Sequence, residues 1–310
     1  MKRPRNPPHR KTRRRRTIEP EKSICMTVPH LFLIVLVNLV WGSLFVMATL
    51  GLSQFPPLLF TALRFGLLAI VLLPFLRMVH GQMKRIGAIS VVMGIAMYVT
   101  LYLALAWTDS TAAIAMVGQI EVPIAVILGI MVLGERASPL RMIGTGIAFA
   151  GVMVIGFDPA ALHDPGAIGM ITVSAGFYAV AMVLVRGLNN VNPLIINAWM
   201  AVISTVPLLL LSYIFEGDQW EAAFNADIWG WGTLFYSAFI GSLIGHGGMY
   251  YLLRHYPVGI IAPFTLLTPL FAVCGSILFL GDSLTLALMI GGVMILCGVG
   301  SVNFAPRDNG

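Results

Sequence analysis

Ten runs of about twenty apolar residues, separated by short connections, constrain this 310-residue chain more than any other feature. They fall at approximately 30–50, 57–77, 86–107, 111–133, 139–157, 166–186, 193–215, 228–253, 258–280 and 284–304. A run of that length matches the hydrocarbon thickness of a bilayer at 1.5 Å per residue. Only 10% of residues are charged and mean hydropathy is +0.89, against roughly 25% charge in soluble domains. The expected fold is an all-α polytopic membrane protein with ten transmembrane helices.

Charge placement tests this division independently. With the N-terminus inside and alternating spans, every Lys and Arg except Arg64 falls on the cytoplasmic side: the tail, Arg77, Lys84, Arg85, Arg136, Arg141, Arg186, Arg254 and Arg307. The opposite side collects Asp109, Asp158, Asp164, Glu216, Asp218, Glu221, Asp227 and Asp282. Because cytoplasmic loops of membrane proteins are enriched in Lys and Arg, both termini are expected in the cytoplasm of a cell with the chain in its inner (plasma) membrane. Ten of the nineteen Lys and Arg lie in the first 22 residues. We read residues 1–28 as a basic, disordered tail that sets topology and meets anionic lipid headgroups, with no nucleic acid partner expected. Cys25, Cys274 and Cys297 show no pairing or ligand spacing, so no disulfide, metal or other cofactor is expected.

The chain is also duplicated. GLSQFPPLL at 51–59 matches GLNNVNPLI at 187–195 at an offset of 136, and LGERASPLRMIGTGIAFAG at 133–151 matches LGDSLTLALMIGGVMILCG at 280–298 at an offset of 147. About eleven extra residues in the second half are supplied by the acidic stretch at 216–227. The repeats span 29–157 and 166–304, five runs each, followed by a short cytoplasmic tail at 305–310. Five is odd, so the copies enter the membrane in opposite senses, giving two inverted five-helix repeats. Inverted repeats are a hallmark of secondary transporters.

NLVWGSLFVMATLGLSQFPPLLFTALRF at 38–65, Pro123 to LGE at Glu135 with the glycine-spaced helix after it, and GHGGMYYLLRHYP at 245–257 resemble EamA-type transporters of the drug/metabolite transporter superfamily. The resemblance runs over about 30–304. It implies a ten-helix inner-membrane carrier of small metabolites, often exporting amino acids or related compounds. Asp282 stands where the motif has Glu, and His246 where the family often has an aromatic.

Two charges lie deep in apolar runs: Arg64 and Glu121. Arginine has no accessible neutral form, and its insertion mid-span costs roughly 2.5–3.5 kcal/mol. Two readings stand side by side. The pair satisfies itself and pins two helices, or Arg64 takes a substrate carboxylate while Glu121 takes an ammonium group or a transported proton. Glu121, with Gln119 beside it, shares a stripe with Gly118 and Ala125, so that face turns to protein or cavity. Pro123 in the first half and Pro263 and Pro269 in the second mark helix breaks at repeat-related positions, a pointer to a central site. Further candidates for the cavity wall are Asn38 with Trp41, Tyr98 with Tyr102, Tyr178, and His246, the last also a candidate for proton coupling. Each of these stripes reads equally as helix packing.

The expected function is secondary transport of a small zwitterion by alternating access. Export of hydrophobic or cationic drugs is the alternative within the same fold; an intramembrane enzyme or a non-transporting scaffold is the alternative outside it. Catalysis is not expected, since no nucleophile elbow, HExxH or paired intramembrane carboxylates occur. A P-loop is also lacking.

Overall fold

A computed structural model of the chain describes residues 26–107, 114, 116–135, 138–156, 165–280 and 286–304. Every element among them is helical. Six stretches are long and apolar enough to cross a membrane: Val28–Leu52, Pro57–Phe75, Met83–Ala106, Pro165–Arg186, Pro193–Phe215 and Val258–Gly275. Three shorter apolar helices, Gly118–Leu133, Pro139–Val154 and Met289–Val302, join them. Residues 1–25 of the basic tail lie outside the described residues, as do Asp109, Arg136, Asp158, Asp164, Asp282, Arg307 and the C-terminal tail.

In chain order the helices are α1 (Val28–Leu52), α2 (Pro57–Leu72), α3 (Met83–Ile89), α4 (Tyr98–Ala106), α5 (Glu121–Leu133), α6 (Pro139–Gly156), α7 (Pro165–Arg186), α8 (Pro193–Phe215), α9 (Gln219–Asn225), α10 (Ile228–Tyr236), α11 (Gly247–His255), α12 (Val258–Ile261), α13 (Leu267–Leu280) and α14 (Leu286–Phe304). Four of them, α2, α6, α7 and α8, begin on proline. There the fixed φ suits the first turn and the missing N–H removes a donor that has no partner. Gly134 ends α5 at φ +65°, a left-handed position that glycine adopts without strain.

Two joins depart from regular α geometry, and they recur in both halves. Ser90–Met97 links α3 to α4 as a π-helix, and Ser237–His246 links α10 to α11 in the same way. The two segments start at the 147 offset seen in the sequence. Likewise 3₁₀ turns, Gly118–Ile120 and Ala262–Leu266, lead into α5 and α13. Pro123 and Pro269 are each the third residue of the α-helix that follows, so proline sits where the winding changes in both copies. The 3₁₀-to-α boundary aligns Glu121 with Leu267.

The packing keeps the same symmetry. α6 and α14 run antiparallel through matched glycines. A Cβ on Gly298 would stand 2.5 Å from the Gly144 carbonyl oxygen, and one on Gly151 would stand 2.7 Å from that of Gly291. α2 and α8 are antiparallel too: beyond α8, Glu216 accepts from Leu58 and Leu59 N–H at 2.6 and 2.9 Å, while Trp199 Nε1 reaches the Arg77 carbonyl at 3.1 Å. α1 packs on α13 as α5 packs on α7, which is one contact seen in each direction of the exchange.

Polar groups gather at the two ends. At one, Arg186 pairs with Glu135 (3.7 Å) and donates to the Leu253 and Arg254 carbonyls; Arg254 donates to the Val191 carbonyl, and Arg85 to that of Gly187. Cations there complement the negative C-termini of α7 and α11. At the other end, Gln54 and Asp227 exchange hydrogen bonds of 2.8 and 2.9 Å near the Glu216 contacts. The stretch at 216–227, read from sequence as an acidic loop, contains α9. Between the ends the exterior is apolar, with Phe32, Ile70, Met131, Val206 and Val293 more than half exposed.

Candidate functional site

Seven of the helical runs meet around a cavity of about 150 Å³. α1 supplies Trp41, Leu44 and Phe45; α2 supplies Arg64; the first π-helix and α4 supply Met97, Tyr98, Leu101, Tyr102 and Leu105. The 3₁₀ turn and α5 contribute Gly118, Gln119 and Glu121, α7 contributes Ser174 and Tyr178, the second π-helix Ser237 and His246, and α13 Thr268. Eight of the nine sequence-selected side chains thus line one space. Asn38 does not. It is fully buried, donating to the Ile34 carbonyl at 2.6 Å and accepting from the Thr268 hydroxyl at 2.8 Å, and so ties α1 to α13.

Arg64 is one of the largest side chains in the core, only 2% exposed. Its guanidinium carbon lies 4.6 Å from the centroid of the Tyr98 ring, and Nη2 donates to the Ser242 hydroxyl at 3.2 Å. The Ser242 carbonyl in turn accepts from Asn197 Nδ2 at 3.1 Å. Arg64 and Glu121 do not form an ion pair; among the described residues that contact belongs to Arg186 and Glu135. Both charges face the cavity from separate walls. Glu121 is half-buried at the 3₁₀-to-α boundary and interacts with the Thr265 side chain.

His246 and Tyr98 bridge the two halves, Nε2 to hydroxyl, at 2.6 Å. His246 also lies against Trp41 (ring centroids 5.5 Å) and Tyr250 (6.0 Å). Trp41 meets Tyr178 edge-on at 5.8 Å, and Tyr98 stacks on Tyr102 at 6.0 Å. Aromatic rings therefore hold the polar part of the wall together. Four buried polar atoms in it have no hydrogen-bond partner: Trp41 Nε1, Arg64 Nε, Tyr178 Oη and His246 Nδ1. Buried polar groups in folded proteins are nearly always satisfied, and these four atoms stand apart from that rule within one wall.

Sequence reading missed Phe45, Met97, Ser237 and Thr268. Phe45 follows Trp41 by one turn and was within reach of the helical-spacing argument. Met97 and Ser237 face inward because of the π geometry, which carried no sequence signal.

The description of the EamA-like transporter family matches residues 29–157 and again 165–304. The chain belongs to that family. Within it, the chain is 27% identical over 278 residues to a protein of Salmonella typhimurium named "Probable amino-acid metabolite efflux pump", covering 86% of this chain and 92% of that one. The Escherichia coli protein of the same name is 26% identical over 275 residues, with the same coverage. A solved structure described only as that of a protein superposes with a TM-score of 0.73 at 17% identity, over 89% of this chain and 96% of the other. That likeness concerns the fold. As an EamA-like transporter with apolar helices throughout, the chain is a multi-pass integral membrane protein, and its family carries small molecules across lipid.

Proposed function

We propose that this transporter is a secondary carrier exporting small metabolites, amino acids or their derivatives, by alternating access between two inverted five-helix halves. The observation that carries the reading is the cavity between the halves. One permanent cation, one carboxyl group and four unpartnered polar atoms face an aromatic space of about 150 Å³. A cavity of that size in an engineered protein takes up benzene, so the fit is to a compact solute. A carboxylate would meet Arg64 and an ammonium group Glu121. Phosphorylated sugars would call for several convergent basic groups, and the cavity wall offers one arginine. A hydrophobic cation would be repelled by Arg64.

The inverted relation is supported by the antiparallel α6–α14 and α2–α8 seams, since equivalent helices that face each other head to tail belong to copies of opposite sense. Ten spans with both termini in the cytoplasm are supported by the basic and acidic ends of the bundle. Arg85, Arg186 and Arg254 meet at one end and Glu216 and Asp227 at the other. Such sorting matches an inner membrane with positive loops inside.

Counterflow in proteoliposomes, with a panel of amino acids, organic cations and phosphate esters, tests the substrate class. Amino acids or their derivatives should drive counterflow and phosphate esters should not; a panel in which no amino acid does so removes the assignment.

A further inference from the structure

We propose that Arg64 and Trp41 hold one monovalent anionic group, a halide or a carboxylate, against the glycine face of the second π-helix. The guanidinium is permanently charged and offers only donors. It is buried, and among the described residues no carboxylate lies within ion-pair distance of it. Its polar protein contacts are the Ser242, Tyr98 and Tyr102 hydroxyls, all uncharged, and the Tyr98 ring below it supplies a quadrupole rather than a counter-charge. Arg64 Nε has no hydrogen-bond partner.

Trp41 Nε1 is the second donor, also buried and without a partner. Indole can only donate. Both groups lie on one face of Ser237–His246. Arg64 Nη2 is 3.6 Å from where a Cβ on Gly241 would stand, and Trp41 Nε1 is 2.5 Å from the corresponding point on Gly245. These glycines are one turn apart. Neither carries a side chain, and the Leu44 methyl groups, 2.8 and 3.3 Å from the Gly241 point, are the apolar neighbours of the strip beside the two donors. A cation finds no acceptor on this strip beyond backbone carbonyls already in helical use, and water bonds the donors without neutralising the charge. A single formal positive charge matches a single negative one.

The matching place in the other half is uncharged, which argues that the cation is not part of the shared scaffold. Gly94 corresponds to Gly241 and Met200 to Arg64; a Cβ on Gly94 would meet the Ser204 hydroxyl and stand 2.8 Å from Met200 Cγ. The same close approach is kept, with no charge to satisfy.

The inference depends on the carrier reading only for the carboxylate case, where the occupant is the substrate's own carboxylate. Its test reads binding without flux. Purified full-length protein is unfolded thermally at constant ionic strength while a bulky sulfonate buffer anion is replaced stepwise by chloride in one arm and by acetate in the other. A ligand that binds the folded state raises its stability by an amount set by concentration over Kd. We expect a saturable rise in unfolding temperature in at least one arm, lost in Arg64→Gln. In Trp41→Phe the half-saturating concentration should rise several-fold, and this variant carries the test by itself if Arg64→Gln does not fold. A chloride response assigns the site to free halide as well as carboxylate, and a response to acetate alone assigns it to carboxylates. No rise in either arm, or an unchanged half-saturation in Trp41→Phe, overturns the proposal. That failure would leave counterflow results untouched, so the two readings fail separately.

Discussion

Glu121 and Arg64 occupy the same cavity without touching, and their separation gives each a distinct expected phenotype. Glu121→Gln keeps the size and one acceptor while removing the titratable proton. The variant should insert and fold but lose any dependence of transport on pH, measured as flux into vesicles across a pH series; full retention of that dependence excludes Glu121 as the proton site. At the acidic end, Asp227 caps α10, accepting from Trp229 and Gly230 N–H at 2.9 and 2.8 Å. The Gly230 N–H foremost, and then the Gln54 amide, hold its carboxyl below the ordinary value of 3.8. Because the folded-state pKa is depressed, the stabilisation is full above about 3.8 and is lost as pH falls through the lower, folded-state value. Asp227→Asn should therefore lower the melting temperature at neutral pH, and the gap to wild type should close at strongly acid pH.

Helices in this bundle are fastened by small residues along their lengths and by carboxylates at their ends. On the α6–α14 seam the backbones approach until no side chain fits at Gly298, whereas Gly146 on the same α6 helix has nothing within 4 Å of its Cβ position. Gly298→Leu should destabilise by at least about 1–3 kcal/mol, the usual cost of overpacking. Gly146→Leu should be neutral, and thermal unfolding of the two variants checks both. At the basic end, Glu135 accepts from Val258 and Gly259 N–H at 3.0 Å each while pairing with Arg186. It thereby serves as the cap of α12, two donors that Pro257 leaves at a helix start. Glu135→Ala strands both donors, and an unsatisfied buried donor costs about 1–3 kcal/mol. Loss of thermal stability of that order is the expected result. The place of Glu135 at a helix end was legible in the sequence; its backbone partners, 123 and 124 residues further along the chain, were not.

For the whole molecule, the two-ended charge distribution predicts sidedness. In a cysteine-free background, a cysteine at Asp218 should react with an impermeant maleimide in intact cells, and one at Lys84 only after permeabilisation. The reverse pattern would place the termini outside. The duplication seen as paired motifs reappears as paired π-helices, paired 3₁₀ turns and glycine seams read in both directions. The charges do not follow it: Arg64 faces Met200 across the exchange, and Glu121 faces Leu267. Two copies share a frame, and the first alone places Arg64 and Glu121 in the cavity wall.

Apolar run length, loop charge and internal repetition are local properties, so they were readable from the amino-acid order by itself: a helical membrane protein, doubled, with Arg64 and Glu121 buried in it. Eight of the nine proposed wall residues could be named because helical spacing puts them on inward faces. Whether those faces met, and around what, was decided by tertiary packing. The two π-helices turn Met97 and Ser237 by amounts that a regular 3.6-residue period does not contain. Asn38 left the cavity because the Thr268 hydroxyl and its own helix satisfy it, and Arg64 stayed clear of Glu121 because their helices present them on different walls. A buried charge must be answered, but which group answers it depends on distances that no linear pattern specifies.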